Sequence, residues 1–345
     1  MNLQLSIIIP VYNVEAYIEK CITSLQDQDI PKETYEIIII NDGSPDNSRQ
    51  VVLGLMDRFS NIIFIEQKNK GVSMARNAGM DRATGKYLLF IDPDDYVEPN
   101  SFSRVLKAAN DQGAQIVFLG YKFLDADNSV KMDINFSSFR NKVYTGIEAY
   151  YHSRINITVD PDRTVAILFK RDFINDAGLR YVSEIPYLED GEFIARILCI
   201  AERCIFEGNS FYLRTTRSGS ATNSNLFYTK RSIDGFIKAA INLKTFSQNP
   251  ALNEEQLVFM NQPIAKFTLL AVDSSTKISN FAKLFFVRKK LFENGLGALS
   301  LSGVLWPYST HAKMYNISPF MFVIFLIRRK ILNSIKFKFQ NFSIL

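Results

Sequence analysis

In the first half of the chain, apolar residues come in short dense runs rather than in helical stripes. Residues 5–10 form a β-branched apolar run, and residues 36–40 repeat it with four consecutive isoleucines. Such runs predict strands buried on both faces, as in a parallel sheet. Residues 62–66, 87–91 and 116–121 predict three more strands. Between them, roughly 14–28 and the Ala- and Met-rich 71–83 predict helices. This alternation implies right-handed βαβ units and a doubly wound α/β sheet. From about residue 145 the pattern loosens, with a strand at 166–169, a helix at 192–201 and a strand at 206–214. Beyond about residue 227 the pattern is mostly helical, which divides the chain into 1–225 and a helical extension, 226–345.

Two polar turns follow strands directly, Asn41-Asp42-Gly43-Ser44 and Asp92-Pro93-Asp94-Asp95. Ligands of open α/β sheets bind beyond the carboxyl ends of the strands, so both turns lie where a site belongs. Carboxylates as close as Asp92, Asp94 and Asp95 repel one another unless a cation or donors compensate. Mg²⁺ commonly takes one or two carboxylates plus substrate phosphates, so this turn suits a metal-bridged nucleotide diphosphate. A solvated acidic turn with Asp95 capping the next helix is the plainer alternative. Asp42 can accept from a base N–H or a ribose hydroxyl, or close a local turn. In Gly71-Val72-Ser73-Met74-Ala75-Arg76-Asn77-Ala78-Gly79, small residues permit close helix–sheet packing, and Arg76 faces the same rim. A guanidinium there serves a phosphate, stacks on a base, or is simply exposed.

Composition narrows the picture. Hydrophobic residues are 47% and charged residues 22% of 345, enough for a core and too apolar for wholesale disorder. Three cysteines without a Cys-x-x-Cys pair, and two histidines, argue against a zinc site or a disulfide framework. Cys21, Cys199 and Cys204 are expected to be buried in a reducing compartment. The apolar run at 6–10 is too short for a signal peptide, and no apolar stretch reaches transmembrane length. The net charge is +5, and Arg328, Arg329, Lys330, Lys336 and Lys338 account for all of it. The neutral remainder lacks the broad basic footprint of a nucleic-acid binder. A dinucleotide-linked Rossmann enzyme needs a Gly-x-Gly-x-x-Gly turn where this chain has Pro10-Val11-Tyr12-Asn13. A nucleotidyltransferase needs a basic Gly-rich loop there, also absent.

Taken in order, Ser6-Ile7-Ile8-Ile9-Pro10-Val11-Tyr12-Asn13, Asn41-Asp42-Gly43-Ser44, Gly71 to Gly79 and Phe90-Ile91-Asp92-Pro93-Asp94-Asp95 resemble glycosyltransferase family 2, the inverting enzymes of GT-A fold. The resemblance covers residues 1–225 and implies a Rossmann-like, mostly parallel sheet. It implies that Pro10, Val11 and Tyr12 line a base pocket, with Glu15 a further member, and that Asp42 holds base or ribose. It puts Arg76 near the nucleotide, Asp92 and Asp95 at the donor, and Mn²⁺ or Mg²⁺ on Asp94. Tyr187-Leu188-Glu189-Asp190-Gly191-Glu192-Phe193 matches the acidic pair that supplies the family's base, with Asp190 at the matching position and Glu189 and Glu192 as rivals. Arg214 and Arg217 fall in a segment like the family's basic loop, which covers the diphosphate. One departure is that Val165-Ala166-Ile167-Leu168-Phe169, before Lys170-Arg171-Asp172, lacks the Trp and Asn common in the capsule and exopolysaccharide branch. The implied donor is a UDP-sugar and the implied role is cell-surface polysaccharide synthesis. A nucleotide-sugar-binding assembly component without turnover is the alternative.

Residues 317–327 are apolar on all sides before Arg328-Arg329-Lys330. About 11 residues cannot cross a hydrocarbon core that needs roughly 20. Apolar surface with cationic neighbours predicts that 317–345 inserts shallowly at an anionic membrane face, placing the protein peripherally on the cytoplasmic side of the plasma membrane. Such a position suits a polyprenyl-diphosphate-linked glycan acceptor.

Overall fold

The structure, a computed structural model, describes residues 3–125, 127–154, 162–215, 228–276, 281–318, 321–326 and 328. The chain divides into two compact units, Met1–Asn223 and Ser224–Leu345.

The first unit opens with β1 (Leu5–Val11), α1 (Ile18–Gln26), β2 (Tyr35–Asn41), α2 (Ser48–Met56), β3 (Ile62–Glu66), α3 (Val72–Arg82) and β4 (Tyr87–Phe90). It continues with β5 (Tyr96–Val97), α4 (Phe102–Asp111), β6 (Ile116–Leu124), β7 (Val130–Ile134), α5 (Gly146–His152), β8 (Ile167–Lys170), α6 (Arg171–Asp176), α7 (Glu189–Ile200) and β9 (Cys204–Arg214). Every residue of β1 and β2 is buried, as their unbroken apolar runs require. The sheet order is β3-β2-β1-β4-β8-β6-β9-β5, with β7 on β6. The pairs among β3, β2, β1 and β4 are parallel.

The expected doubly wound sheet is thus present in its first half, and the second half is mixed. β8 lies antiparallel to both β4 and β6. A four-residue apolar run carries no signal of direction, so the pattern could not reveal this reversal. Because β8 reverses twice, β6 again runs with β4, and β9 is parallel to β6. The carboxyl ends of β1, β2, β4, β6 and β9 therefore share one edge. Helix α3 lies close against β1 and β2 through Gly79, where a Cβ would come within 2.4 Å of Ile8 Cγ2 and 2.9 Å of Ile40 Cδ1. Helix α1 starts at Ile18, not near residue 14, because the chain first makes a turn with Asn13 at φ +55°. All three cysteines are free and buried.

The second unit contains α8 (Lys230–Phe246), α9 (Glu254–Thr276), α10 (Phe281–Glu293) and α11 (Tyr308–Ile317). Helix α9 is the axis on which α8, α10 and α11 pack. Phe236, Phe259 and Phe267 are buried in this core. No described helix is long and apolar enough to cross a membrane. Much of 317–345 lies outside the described residues. Its described part is two-faced rather than apolar all round: Phe322, Val323 and Leu326 are buried, while Ile317, Met321 and Ile324 are exposed. Phe322 packs against His311 and Tyr315.

Candidate active site

The loops after β1, β2 and β3 are stitched together by short polar bonds. The Glu15 and Val14 amides donate to Asp46 Oδ2 (2.9 Å) and Ser48 Oγ (3.1 Å), and Asn47 N donates to Glu15 Oε2 (2.6 Å). Glu15 is thereby turned onto the start of α2. Asn41 forms the local turn by accepting from Ser44 N, which leaves Asp42 for a longer reach. Gln67 Nε2 and Lys70 N donate to Asp42 Oδ1, and Gly71 N donates to Oδ2, all within 2.7–2.8 Å. Asp42 is buried and fixes the loop that delivers α3. Pro10 and Val11 are buried in β1, whereas Tyr12 is half-exposed at the rim.

The acidic turn after β4 has three carboxylates with three different surroundings. Asp95 is buried and accepts from Tyr212 Oη (2.6 Å) and Thr215 N (2.7 Å). Burial, then the charges of Asp92 and Asp94, holds its carboxyl well above the ordinary range. Asp95 therefore ties the end of β9 to the turn. Asp92 accepts from Arg76 Nη2 (3.1 Å), and its amide donates to Tyr212 Oη (3.2 Å). Asp94 is partly exposed, and Thr215 Oγ1 donates to its carbonyl (2.6 Å). The described residues include no group of three His, Cys, Asp or Glu side chains placed to hold a metal ion. One or two carboxylates fit a hard cation whose oxygen shell a diphosphate completes, rather than a closed protein cage.

Arg76 joins this turn to the start of α7. It is 2% exposed, not a surface arginine. Its Nη1 donates to Glu189 Oε1 (2.9 Å) and Asp190 Oδ1 (2.8 Å). Burial works to lower its pKa, but Asp190, Tyr181, Asp92 and Glu189 carry it well above the usual guanidinium value. Glu189 is pushed up to about 7 by burial and then by Asp190, against the pull of Arg76. The other rival, Glu192, is fully buried in a two-pronged bond with Arg196 (2.6 and 2.7 Å), so it is structural.

Asp190 has a second support. Tyr181 Oη donates to Thr164 Oγ1 (2.7 Å), which donates to Asp190 Oδ1 (2.8 Å), while Thr164 N reaches Oδ2 (3.3 Å). Tyr181 is pinned by Asn77 of α3 through paired 2.9 Å bonds and stacks on Phe193. Gly191 is small because Asp162 stands over it, and a Cβ would meet Asp162 Oδ2 at 2.9 Å. Leu188 and Ala166 both adopt positive φ, +59° and +56°, a costly conformation for residues with side chains. Thr164, just before the segment that departs from the family pattern, thus stands beside the acidic pair.

Arg214, at the end of β9, lies over the Phe123 ring (5.3 Å). Arg217 lies outside the described residues. Arg163, which sequence reasoning missed, is buried over the Tyr121 ring (3.9 Å). Its pKa is pushed down to about 10 by burial, with Arg154 and Arg214 adding to the lowering. No motif marks it, because its neighbours come from distant strands.

Comparison with known proteins bears on the family and the fold. The family described as "Glycosyl transferase family 2" matches residues 6–174. The chain belongs to glycosyltransferase family 2. Among relatives, "Uncharacterized glycosyltransferase EpsJ" of Bacillus subtilis is 31% identical over 221 residues, 63% of this chain and 62% of that protein. The Staphylococcus aureus "Poly(ribitol-phosphate) beta-N-acetylglucosaminyltransferase TarS" is 24% identical over 225 residues, 64% of this chain and 37% of TarS. The match thus spans less than two thirds of either relative. The crystal structure of TarS 1–349 in complex with UDP-GlcNAc aligns with TM-score 0.70 at 21% identity, covering 95% of this chain and 92% of that one. A mannosyltransferase of Pyrobaculum calidifontis, in complex with GDP-Man and Mn²⁺, aligns with TM-score 0.51 at 12% identity, covering 96% and 88%. At these identities the structural likeness shows the GT-A-like fold.

Proposed function

We propose that this protein is an inverting glycosyltransferase that moves a sugar from a UDP-sugar to a hydroxyl of a cell-surface polymer, either a lipid-linked glycan or a polyol-phosphate chain. The observation that carries the reading is Arg76. One guanidinium bonds Asp92 of the acidic turn and Asp190 of α7, so a phosphate-side turn and a general base sit on opposite sides of one cation. The UDP-GlcNAc complex of TarS supports UDP as the nucleotide, and the name of TarS supports a phosphate-bearing polymer as one acceptor class.

In this mechanism the acceptor hydroxyl attacks the anomeric carbon in a single displacement. The new C–O bond forms as the bond to the diphosphate breaks, and Asp190 takes the hydroxyl proton. Arg76 and Thr164 hold the Asp190 carboxylate still during attack. Asp42 holds the loop that frames the nucleotide, Tyr12 covers the base, and Asp95 keeps β9 against the acidic turn. Arg214 and Arg163 provide the cationic wall beside the diphosphate. Asp94, with Asp92, would hold a divalent cation, which when bound offsets charge on the departing diphosphate.

The purified protein, given Mn²⁺ and individual UDP-sugars, should release nucleotide with one of them. Asp190→Asn is expected to keep the thermal shift given by that donor and to lose roughly 10²–10⁴-fold in transfer. Transfer within a few-fold of the parent would refute Asp190 as the base.

A further inference from the structure

The two units differ sharply in surface character. Residues 1–223 contain 24 Lys and Arg against 30 Asp and Glu, whereas 224–345 contain 16 against 5. The first unit is therefore acidic, at −6, and the second strongly basic, at +11. Only five of those positive charges belong to residues 328–338, so the helical body is itself cationic. Of the fourteen large apolar side chains exposed among the described residues, ten belong to this smaller unit.

Their placement is ordered. In α10, Leu284, Val287 and Leu291 are buried at helical spacing and face the unit's core. Phe286, Lys289 and Phe292 lie on the reverse face, with Phe286 55% and Phe292 73% exposed. Gly297 brings the backbone against one side of the Phe292 ring, where a Cβ would meet Cδ2 at 2.5 Å. Nearby in sequence, Leu305 and Trp306 project from a loop that is itself held down. Leu305 N donates to Gln262 Oε1 (2.8 Å), and Asn261 Nδ2 donates to Ser302 O (3.1 Å). Trp306, the sole tryptophan of the chain, is 79% exposed. Buried Val304 anchors this loop from beneath.

We infer that the exposed aromatic side chains of this basic unit, Phe286 and Phe292 of α10 together with Trp306 of the 305–306 loop, dock on one anionic lipid bilayer. Aromatic side chains partition to the headgroup level, and basic neighbours draw them to anionic lipid. Charge selects this occupant over a second copy, whose matching face would carry the same excess of positive charge. The surface differs from the 317–345 segment and requires nothing of the transfer chemistry.

Trp306 reports on the surface directly. The full-length protein is mixed with phosphatidylcholine vesicles, with and without phosphatidylglycerol, and both co-sedimentation and tryptophan emission are followed. Anionic vesicles alone should bind the protein, shift the emission to the blue, and allow quenching by brominated acyl chains. Phe286→Ser with Phe292→Ser should weaken binding at least about tenfold, and Lys289→Glu roughly fivefold, with helical circular dichroism retained. Co-sedimentation with unchanged emission would overturn the inference and assign binding to another segment. A blue shift that grows with protein concentration without lipid would overturn it in favour of self-association, and an absence of binding would also overturn it.

Discussion

Two buried polar clusters occupy opposite edges of the same sheet, and they behave differently. Where the strands begin, Glu36 accepts from Ser6 Oγ (2.6 Å), Thr84 N (2.7 Å) and Thr84 Oγ1 (2.8 Å), and Gly85 N donates to Ser6 Oγ (2.8 Å). Every partner there is neutral, and Glu36 is 5% exposed. Where the strands end, one cation, Arg76, faces Asp92, Glu189 and Asp190. Its Nε has no hydrogen-bond partner among the described residues. The first cluster is closed and only holds a turn. The second carries three carboxylates for one guanidinium, an imbalance suited to a site that a ligand completes.

Breaking each cluster should separate them. Arg76→Met leaves three carboxylates without their cation and should cost about 3–5 kcal/mol of stability by urea unfolding, with transfer abolished. A loss under about 1 kcal/mol would show that the carboxylates do not depend on Arg76. Glu36→Ala should cost about 1–3 kcal/mol, since it strands buried donors. Its kcat should match the parent's, and a large kcat effect would erase the distinction between the two edges.

A finer cut falls on the support of Asp190. Thr164→Val removes one bond to the carboxylate and should lower kcat roughly tenfold at constant donor KM, while Thr164→Ser recovers most of it. Equal losses in both variants would point to packing rather than positioning. The smallest effect concerns Glu189. A raised carboxyl pKa means that the native state holds its proton more tightly than the unfolded chain does. Its contribution is therefore favourable below the unfolded value of 4.5 and is lost as pH rises through about 7. Glu189→Gln should flatten that fall by on the order of 1 kcal/mol in pH-dependent unfolding. If kcat of the parent rose with a midpoint near 7 and the variant lost that rise, Glu189 would displace Asp190 as base.

The comparison also explains what could be read from the residues alone. Strands β1, β2 and β4 were legible because burial on both faces writes an unbroken apolar run, and the acidic turn was legible because it follows β4 directly. The Arg76 network was not. Its partners stand 113 and 114 residues further along the chain, and Arg76 sits in a helix whose pattern of apolar positions is weak. Thr164 and Arg163 come from a segment where Ala166 adopts positive φ and β8 reverses direction, and neither event has a compositional signature. Small side chains draw α3 inward and carry Arg76 below the surface, where it meets Asp92 of the acidic turn.

Gly79 sets where this scaffold can drift or be redesigned. With no space for even a methyl group between α3 and the Ile8 and Ile40 side chains, the helix cannot slide, tilt or thicken. Arg76 is therefore a fixed datum to which the surrounding loops must be built. Libraries aimed at a new donor or acceptor would do better to vary residues 162–166 and the half-exposed Tyr12 than any position on the inner face of α3. On that face, substitutions would register first as lost folding yield and only second as altered selectivity.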